Sequence, residues 1–454
     1  MFNLPIIFNT DSYKFSHYLG YPPGTTEIYS YAESRGGVYR DVVVMGMTAV
    51  TRLLLEFELF ERNIDDAFVF SKDHNVPFNY IGWKRLFEKY ATVRYLNSDN
   101  GDAVRVLTKL PVRIEGLPDG TVTRTREPLF AVYNTDPEFP WLTSYLETAL
   151  LRVWYSITVA SRVFKMKQAI QPYFRETSES ENDGFGVLDF GSRGTSSTES
   201  SALGGLGHLA SFVGSDNLPA IYLANRVYKS NMAAFSVAAT EHSIMTAWEP
   251  QNELQSFEYL IENMAPEGGI LSVVSDSWDI FAATDKWISL REKIRNKRVK
   301  LVVRPDSGEM KEVLPILFDK LEKGFGFTIN SKGYKVLNDV GLLWGDGINE
   351  NTVVDPFIAA KWAGISADSI ITGSGGGILQ VGLDRDTMKF AFKASNAIVD
   401  GRSIPIAKQP ITDPGKVSKK GKFTFPYIYY DNGVFGEPIK LDDIRASIAA
   451  ALTR

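Results

Sequence analysis

The sequence predicts an α/β fold built on a parallel sheet, and two observations support this prediction. From about Gly186 onwards, short apolar runs are each followed by a small, polar, glycine-containing segment. Segments with apolar residues at helical spacing lie between several of these runs. Strand, polar loop and helix in repetition are typical of parallel α/β sheets, in which active sites lie at the carboxyl ends of the strands.

The first 150 residues mix helical and extended patterns. Residues 47–62 have apolar side chains at helical spacing and predict one helix, whereas residues 103–133 predict short strands joined by turns. Residues 162–177 predict a second amphipathic helix. A chain of 454 residues can bury a substantial core and suggests two or three domains, or one large barrel with additions.

The predicted strands of the parallel sheet are the short apolar runs, and they lie at residues 186–190, 219–223, 235–238, 270–274, 300–303, 341–344 and 369–371. Helices are predicted between some of them, at residues 311–323 and 352–363. After about Phe390 this rhythm gives way to further strands and a basic loop over residues 415–422. Such a loop is usually solvated, but it could also cover anionic groups.

Composition excludes several classes of protein. The 49 Lys and Arg against 54 Asp and Glu give a net charge of -5, which argues against a protein that coats nucleic acid. The absence of cysteine excludes disulfides, Cys nucleophiles, iron–sulfur clusters and Cys-based zinc sites. Residues 1–9 lack the charged region of a signal peptide, and no apolar run is long enough for a membrane helix. We therefore expect a cytoplasmic protein that does not contact membranes.

Three motifs follow predicted strands, and each has a functional and a structural interpretation. Residues 373–377, Gly-Ser-Gly-Gly-Gly, could bring backbone N–H groups close to a phosphate, or form a tight turn. In Arg304-Pro-Asp-Ser-Gly308 the Arg could bind a phosphate and the Asp a sugar hydroxyl, or the stretch could be a surface turn. Gly345-Asp-Gly347 offers an acidic side chain or a simple turn.

A histidine and a carboxylate follow two other predicted strands. His242 in a Glu-His-Ser loop and Asp276 could form a general base or a phosphate acceptor, although a structural, hydrogen-bonded His is the alternative. The stretch Asp189-Phe-Gly191 matches the kinase metal motif, but the other kinase motifs are absent. Residues 205–210 loosely match a dinucleotide fingerprint, but they follow a Ser/Thr-rich stretch and predict a helix instead.

The order of these motifs resembles the nicotinamide phosphoribosyltransferase family. The resemblance spans nearly the whole chain, in the family's order and at similar spacing. The matching stretches are residues 10–14, 134–137, 154–155, 157–160, 189–191, 193–194, 214–216, 241–243, 272–277, 304–308, 345–347, 373–377 and 418–421.

The resemblance implies a fold and a reaction. The fold would be the irregular α/β barrel of the type II phosphoribosyltransferases at residues 156–389, which would carry most of the active site, with a second, mixed α+β domain formed by residues 1–155 and 390–454. The enzyme would transfer phosphoribose from 5-phosphoribosyl 1-diphosphate to nicotinamide in NAD salvage, with Mg²⁺ on the diphosphate. It would be a homodimer with shared active sites, and ATP would be a coupled co-substrate that forms a phosphohistidine.

The resemblance also assigns residues to the base and to ATP coupling. Nicotinamide would stack between Phe190 and Tyr13 of the partner subunit, and Asp216 would accept its carboxamide N–H. His242 would be the residue phosphorylated by ATP, with Asp276 as its orienting partner. The alternatives are a nicotinate phosphoribosyltransferase, whose acidic substrate the Asp216 carboxylate would repel, and a non-catalytic nucleotide-binding relative.

Further residues are implied for the phosphoribosyl donor. Arg193 and Arg304 would clamp its phosphate and diphosphate groups, while the metal ligands stay unassigned. The ribose would contact Asp306, Gly345 and Asp346, the 5′-phosphate would contact Gly375, Gly376 and Arg385, and the polyphosphate would contact Lys393, Lys408 and Lys416.

The sequence departs from the family's pattern at a few positions. Ser192 stands where animal members carry Tyr, Ala391 where they carry Ser, and Ala238 where they carry Pro. The stretch 380–385 is one residue longer, which makes the alignment of Arg385 with the family's phosphate ligand the weakest of the set.

Overall fold

The structure is a computed structural model that describes residues 4–95 and 103–453. The chain divides into two compact units. The first unit comprises residues 1–158, 227–229 and 383–451, and the second comprises residues 159–226, 230–382 and 452–454. Within the described ranges, no helix is both long and apolar enough to cross a membrane.

The chain starts with helices and short strands of the first unit. Two 3-10 helices, Ile6–Phe8 and Ser12–Leu19, come first. The strands that follow are β1 (Thr25–Ser34), β2 (Asp41–Val43), β3 (Leu59–Phe60), β4 (Thr92–Tyr95), β5 (Ala103–Leu107), β6 (Val112–Gly116), β7 (Val122–Arg124) and β8 (Pro128–Asn134). The helices are α1 (Met47–Leu55), α2 (Glu61–Asp73), α3 (Tyr80–Tyr90), α4 (Leu142–Tyr145) and α5 (Glu147–Leu151).

A long helix, α6 (Trp154–Thr177), begins in the first unit and continues in the second. The strands of the second unit are β9 (Val187–Asp189), β10 (Ala238–Ala239), β11 (Ile270–Val274), β12 (Lys300–Arg304), β13 (Phe327–Ile329), β14 (Lys335–Leu337), β15 (Val340–Trp344) and β16 (Ile370–Ser374). Its other helices are α7 (Thr198–Leu209), α8 (Leu218–Val227), α9 (His242–Thr246), α10 (Glu253–Asn263), α11 (Ile280–Ser289), α12 (Arg291–Asn296), α13 (Met310–Phe325), α14 (Asp355–Trp362) and α15 (Gly376–Leu379).

The last part of the chain completes the main sheet of the first unit. Its elements are β17 (Phe390–Val399), β18 (Arg402–Pro405), β19 (Tyr427–Asp431), β20 (Val434–Phe435) and α16 (Leu441–Leu452). This seven-stranded sheet is antiparallel throughout, with the strand order β18-β17-β1-β8-β6-β19-β20. Because β1 pairs with both β8 and β17, the two ends of the chain build one unit.

The second unit is built on a parallel ladder that closes on itself. Six strands pair in the order β10-β11-β12-β15-β16-β9, and every pairing is parallel. Two single-residue parallel bridges continue the ladder beyond β9, one between Asp189 and Ser215 and one between Gly214 and Phe235. Since Phe235 lies just ahead of β10, the ladder returns to the segment where it began. The result is an α/β barrel that is irregular at this junction.

The strands of this ladder read as continuous apolar runs because the sheet is buried on both faces. All five residues of β15 are buried, as are Leu271–Val274 of β11 and Leu301–Val303 of β12. Polar loops follow these apolar runs at the strand ends, which explains the rhythm of the sequence. Helix α7 over Thr198–Leu209 also agrees with the helical interpretation of residues 205–210.

Three elements differ from the sequence-based expectation. Of the strand predicted over residues 235–238, only Ala238 belongs to a strand, β10, while Phe235 forms a single bridge. The helix predicted over residues 47–62 ends at Leu55, because Leu59–Phe60 forms a strand that pairs with β5, and a new helix starts at Glu61. Residues 219–223, predicted as a strand, lie in helix α8. Pro219 falls in the first helical turn, where its missing N–H costs nothing.

Helix α1 begins at a buried carboxylate from another part of the first unit. Asp119 accepts hydrogen bonds from the backbone N–H groups of Met47 and Thr48, both at 3.0 Å. It also accepts bonds from the hydroxyls of Thr48 at 2.7 Å and Tyr228 at 2.9 Å. Asp119 therefore satisfies donors that the first turn of a helix cannot satisfy itself.

Replacing Asp119 with Ala should lower the free energy of unfolding by about 3 kcal/mol, because four buried donors lose their acceptor. A matched control is Asn79→Ala, which removes an N-cap that accepts only one bond, from the N–H of Gly82 at 3.0 Å. That control should cost about 1 kcal/mol. Urea denaturation of both variants measures the difference, and equal losses would show that Asp119 acts only as an ordinary cap.

Candidate active site

The predicted site residues of the second unit lie at the carboxyl ends of the parallel strands. Because the strands are parallel, their ends meet at one edge of the barrel. The residues that follow the strand ends there are Phe190, Arg193, Asp216, His242, Asp276, Arg304, Asp306, Gly345, Asp346, Gly375 and Gly376. The remaining predicted residues, Tyr13, Arg385, Lys393, Lys408 and Lys416, belong to the first unit.

Phe190 is fixed by the strand beside it. Its backbone N–H donates to the carbonyl of Ser374 at 2.9 Å, so the residue continues the ladder by one step. Its ring lies directly on Gly373, since a Cβ on that glycine would be 2.0 Å from the ring atom Cε2. A side chain at position 373 would therefore displace the ring. On the evidence of this packing, Gly373 is needed for the close approach of Phe190 rather than for an unusual backbone conformation.

A cavity of about 290 Å³ opens beside Phe190 inside the second unit. Apolar side chains form most of its wall, among them Phe185, Leu188, Val302 and Leu343. Asp216, Ser236 and Arg304 contribute polar groups. A small apolar cavity with a few polar groups suits an aromatic ring that carries one polar substituent.

Asp216 is placed next to Phe190 by a backbone hydrogen bond. Its N–H donates to the carbonyl of Asp189 at 3.0 Å, and Asp189 immediately precedes Phe190. One carboxylate oxygen of Asp216, Oδ1, accepts a bond from the hydroxyl of Ser236 at 2.9 Å. The side chain is exposed, so its second oxygen, Oδ2, can accept a hydrogen bond from a ligand.

Arg304 presents a guanidinium group close to the same ring. Its central carbon lies 5.9 Å from the ring centroid of Phe190, and Nη1 donates to the carbonyl of Thr240 at 3.1 Å. The Nε atom is buried and has no hydrogen-bond partner within the described ranges. A half-buried guanidinium with a donor to spare has the chemistry that suits an anion.

His242 and Asp276 form the pair that the sequence predicted, and the pair extends further. His242 Nε2 lies 3.1 Å from Asp276 Oδ1, with the imidazole 48% exposed and the carboxylate 5% exposed. The other oxygen, Oδ2, accepts the backbone N–H of Asp306 at 3.1 Å and the hydroxyl of Ser307. Asp276 therefore joins the histidine loop to the loop at residues 304–308. Sequence reasoning missed Ser307, for which the Pro-Asp-Ser-Gly turn gave only a weak signal.

Glycines let the loops at the strand ends approach one another. A Cβ on Gly191 would lie 2.8 Å from the carbonyl oxygen of Gly375, and one on Gly345 would lie 3.3 Å from Asp306 Oδ1. The backbones after β9, β15 and β16 are thus close to each other and to the Asp306 carboxylate. Arg193 is exposed in the short 3-10 helix Ser192–Gly194 between them.

A cluster of cations lies in the first unit. Burial lowers the pKa of the Lys393 ammonium, and the positive charges of Arg35, Lys408 and Arg385 lower it further, against an opposing effect of Glu147. Arg35 was missed by sequence reasoning because it follows a strand outside the parallel sheet and belongs to no motif. Its Nε pairs with Glu33, while Nη2 is buried without a hydrogen-bond partner in the part of the chain that is described.

The last two predicted residues of the first unit are surface groups. The ammonium of Lys416 pairs with Asp413 at 3.0 Å in the basic loop. Tyr13 is 58% exposed on the 3-10 helix Ser12–Leu19, where its ring contacts His17 edge to face. An aromatic side chain that exposed is available to a ligand or to another molecule.

The carboxylates near the strand ends would suit a magnesium ion that is bound together with substrate phosphates. Among residues 4–95 and 103–453 there is no group of three or more His, Asp or Glu side chains that could hold a metal ion. Mg²⁺ usually needs only one or two carboxylates, because substrate phosphates and water complete its shell. The Asp306 carboxylate beside Gly345 fits that role.

Two family models match the chain. The model described as the nicotinate phosphoribosyltransferase (NAPRTase) family matches residues 185–446, more than half of the 454 residues. The model of the nicotinamide phosphoribosyltransferase N-terminal domain matches residues 5–94.

Individual phosphoribosyltransferases are also similar to this chain. A nicotinamide phosphoribosyltransferase of Xanthomonas campestris pv. campestris (strain 8004) is 40% identical over 423 residues, which cover 92% of this chain and 87% of the relative. Another from Acinetobacter baylyi is 32% identical over 445 residues, with 90% and 86% covered. The crystal structure of human nicotinic acid phosphoribosyltransferase superimposes with a TM-score of 0.59 at 15% identity, covering 98% of this chain and 93% of that one.

The structural match confirms the predicted type II phosphoribosyltransferase fold. The sequence matches confirm the resemblance that the motifs had indicated, and they extend over both ends of the chain. The chain therefore belongs to the nicotinate phosphoribosyltransferase family, together with relatives that are named nicotinamide phosphoribosyltransferases.

Proposed function

We propose that this enzyme transfers phosphoribose from 5-phosphoribosyl 1-diphosphate to nicotinamide, giving nicotinamide mononucleotide and diphosphate in NAD salvage. The observation that carries the proposal is the pairing of two groups at one cavity. An exposed carboxylate, Asp216, lines it beside the ring of Phe190, and Arg304 contributes a guanidinium with a buried, unpartnered donor. The Asp216 carboxylate suits an amide, and the Arg304 guanidinium suits a phosphate.

The carboxylate at position 216 favours nicotinamide over nicotinate. Ser236 occupies Oδ1, so Oδ2 is left to accept the carboxamide N–H while the pyridine ring lies on Phe190. Nicotinate would place a second carboxylate against the first, and that repulsion costs several kcal/mol when water is excluded. The second candidate, nicotinate phosphoribosyltransferase, is favoured only by the name of the family model and of the human structure.

The reaction needs positioning and charge stabilisation rather than a protein nucleophile. The pyridine nitrogen forms a bond to C1 of the ribose as the bond from C1 to the diphosphate oxygen breaks, and the diphosphate leaves with the electron pair. The ring nitrogen becomes positively charged. Arg193 and Arg304 would stabilise the leaving group, and Asp306 would hold the ribose hydroxyls. Mg²⁺, when bound with the diphosphate beside Asp306, would neutralise part of its charge.

The 5′-phosphate and the polyphosphate are assigned to backbone and basic groups. We propose that the backbone of Gly375 and Gly376 approaches the 5′-phosphate, together with Gly345 and Asp346 on the ribose side. Arg385, Lys393, Lys408 and Lys416, with the unpredicted Arg35, would supply positive charge to the phosphates. Arg35 has a buried donor without a partner among the described residues, and the lowered pKa of Lys393 reflects its burial and the positive charges near it.

ATP coupling through a phosphohistidine, a homodimer with shared sites and a cytoplasmic location are further parts of this proposal. Asp276 holds Nε2 of His242, which leaves Nδ1 as the nitrogen that would accept a phosphoryl group from ATP. The exposed ring of Tyr13 would reach the base site of the partner subunit and stack on the free face of nicotinamide.

Asp216→Asn should reduce the preference for nicotinamide, because the substitution keeps the shape but removes the charge that repels nicotinate. We expect kcat/KM for nicotinamide to fall about 10-fold, at ~1.4 kcal/mol per decade, and the gap to nicotinate to narrow. Steady-state kinetics with both bases at saturating donor measure this. Asp319→Asn, a surface change in the same unit, is the control. Unchanged selectivity in the Asp216 variant would refute the assignment, and wild-type turnover of nicotinate alone would refute the proposed function.

His242→Ala should abolish labelling by γ-labelled ATP and the stimulation of synthesis by ATP, while leaving slow ATP-independent synthesis. The reason is that the base transfer needs no covalent enzyme intermediate, whereas the coupling needs the imidazole. Asp276→Asn should weaken labelling because it no longer fixes the imidazole. His74→Ala changes an exposed histidine of the first unit and should label normally. Equal labelling without His242 would place the acceptor elsewhere, and no labelling of the wild type would mean that the enzyme is uncoupled from ATP.

Two inactive variants, Tyr13→Ala and Arg304→Ala, should restore activity to each other when their subunits are mixed. If Tyr13 completes the partner's site, each heterodimer contains one intact site, and random exchange gives about a quarter of wild-type activity. The measurement is turnover after mixing, with subunit exchange verified by differently tagged chains. Exchange without recovered activity would show that each site is contained in one subunit.

A further inference from the structure

A buried asparagine lies behind the proposed base site. Asn217 directly follows Asp216 and is fully buried. Its Nδ2 donates to Asp189 Oδ2 and to the carbonyl of Ser201, both at 3.0 Å. Its Oδ1 accepts the hydroxyl of Ser201 at 2.9 Å and the N–H of Ala220 at 3.2 Å. The side chain therefore uses all of its hydrogen-bonding capacity.

The partner of Asn217 is a buried carboxylate on the other side of the same site. Asp189 is the last residue of β9, directly precedes Phe190 and has no exposed surface. Its Oδ1 accepts the N–H of Gly191 at 2.7 Å, and its Oδ2 takes the bond from Asn217. Its backbone carbonyl accepts the N–H of Asp216. One residue thus links both chain segments that carry the proposed base contacts.

We propose that Asp189 and Asn217 are positioning residues that set the separation between Phe190 and Asp216, and so determine which base is bound. Neither of the two lines the cavity, whereas both of their chain neighbours do. Burying a carboxylate is unfavourable unless its hydrogen bonds are satisfied. Any rearrangement of the pair that breaks these bonds would therefore raise the free energy of the folded state. Displacement of a contact by ~1 Å is enough to reduce binding in a site of this kind.

The same network reaches the turn that carries Arg193. The hydroxyl of Ser201 donates to Asn217, and the hydroxyl of Ser192 lies 2.8 Å from that of Ser201. Ser192 begins the 3-10 helix Ser192–Gly194. Because Ser192 is only an outer member of this hydrogen-bond chain, we expect the network to act mainly on the base and less on the donor.

The inference rests on the proposed function, and an exchange of side chains tests it. Asn217→Asp would oppose two buried carboxylates and should raise KM for nicotinamide about 10-fold or more, with KM for the phosphoribosyl donor changed far less. The double variant Asp189→Asn with Asn217→Asp restores one donor facing one carboxylate, with its direction reversed. It should recover part of the lost affinity for nicotinamide, because the bond to the carbonyl of Ser201 stays absent.

Two further variants keep the test decisive. Asn225→Asp makes the same chemical change in α8, where Asn225 accepts one bond from the N–H of Ala233, and should leave both KM values unchanged. Ser201→Ala removes one bond to Asn217 without adding charge and should give a smaller increase in KM for nicotinamide, which serves if Asn217→Asp does not fold.

Different experimental outcomes would contradict the positioning role and the proposed function. Loss of thermal stability with an unchanged KM for nicotinamide, or failure of the folded double variant to recover any part of the lost affinity, would overturn the positioning role. A wild-type enzyme that uses only nicotinate would overturn the proposed function instead, and the same KM comparison made with nicotinate would still decide the role of Asp189 and Asn217.

Discussion

The parallel ladder of the second unit is the constraint on which the rest of the site depends. Parallel pairing brings every strand end to one edge, so residues that are far apart in sequence become neighbours without specific contacts of their own. The return of the ladder through Ser215 and Phe235 to β10 then makes this edge a ring. The polar loops after the strands have no alternative location, because the strands themselves are buried.

Close backbone approach is the second requirement, and glycine meets it where the strand ends converge. The ring of Phe190 occupies the space that a side chain at Gly373 would fill. Asp276 adds hydrogen bonds to this packing, because one of its oxygens contacts His242 and the other accepts the backbone N–H of Asp306. The ring of Phe190, the Arg304 guanidinium and the His242 imidazole are thereby held on one framework of neighbouring strands.

Most of the barrel could be predicted from the sequence, because a strand buried on both faces leaves a continuous apolar run that a polar loop ends. β11, β12, β15 and β16 appeared in this way. The apolar run at residues 219–223 was wrongly predicted to be a strand, because the periodicity of five residues cannot distinguish a strand from a buried helical turn. The side chain of Asn217 stabilises the helix by accepting the N–H of Ala220 in its first turn. Its other bonds are to residues distant in sequence.

The predicted site residues were found through strand ends and motifs, whereas the roles of the missed ones depend on contacts between distant segments. Ser307 and Asn217 act through side-chain hydrogen bonds to other loops, which no local pattern reveals. Arg35 follows a strand of the first unit and is marked only by its burial and by its cationic neighbours. Tertiary hydrogen bonding and electrostatics, rather than secondary structure, account for this difference.

The junction where the barrel closes has a consequence for its dynamics. Most of the ladder is held by strands, whereas the segments at Ser215 and Phe235 are joined to their neighbours by isolated bridges. Cooperative units of a fold open in order of their local stability, so this seam should be the first part of the ring to exchange its amide protons with solvent. Asp216 and Ser236 lie in the seam itself. A base that stacks on Phe190 and bonds to Oδ2 of Asp216 would add contacts to this seam, and binding would therefore slow amide exchange most where selectivity is proposed to be decided.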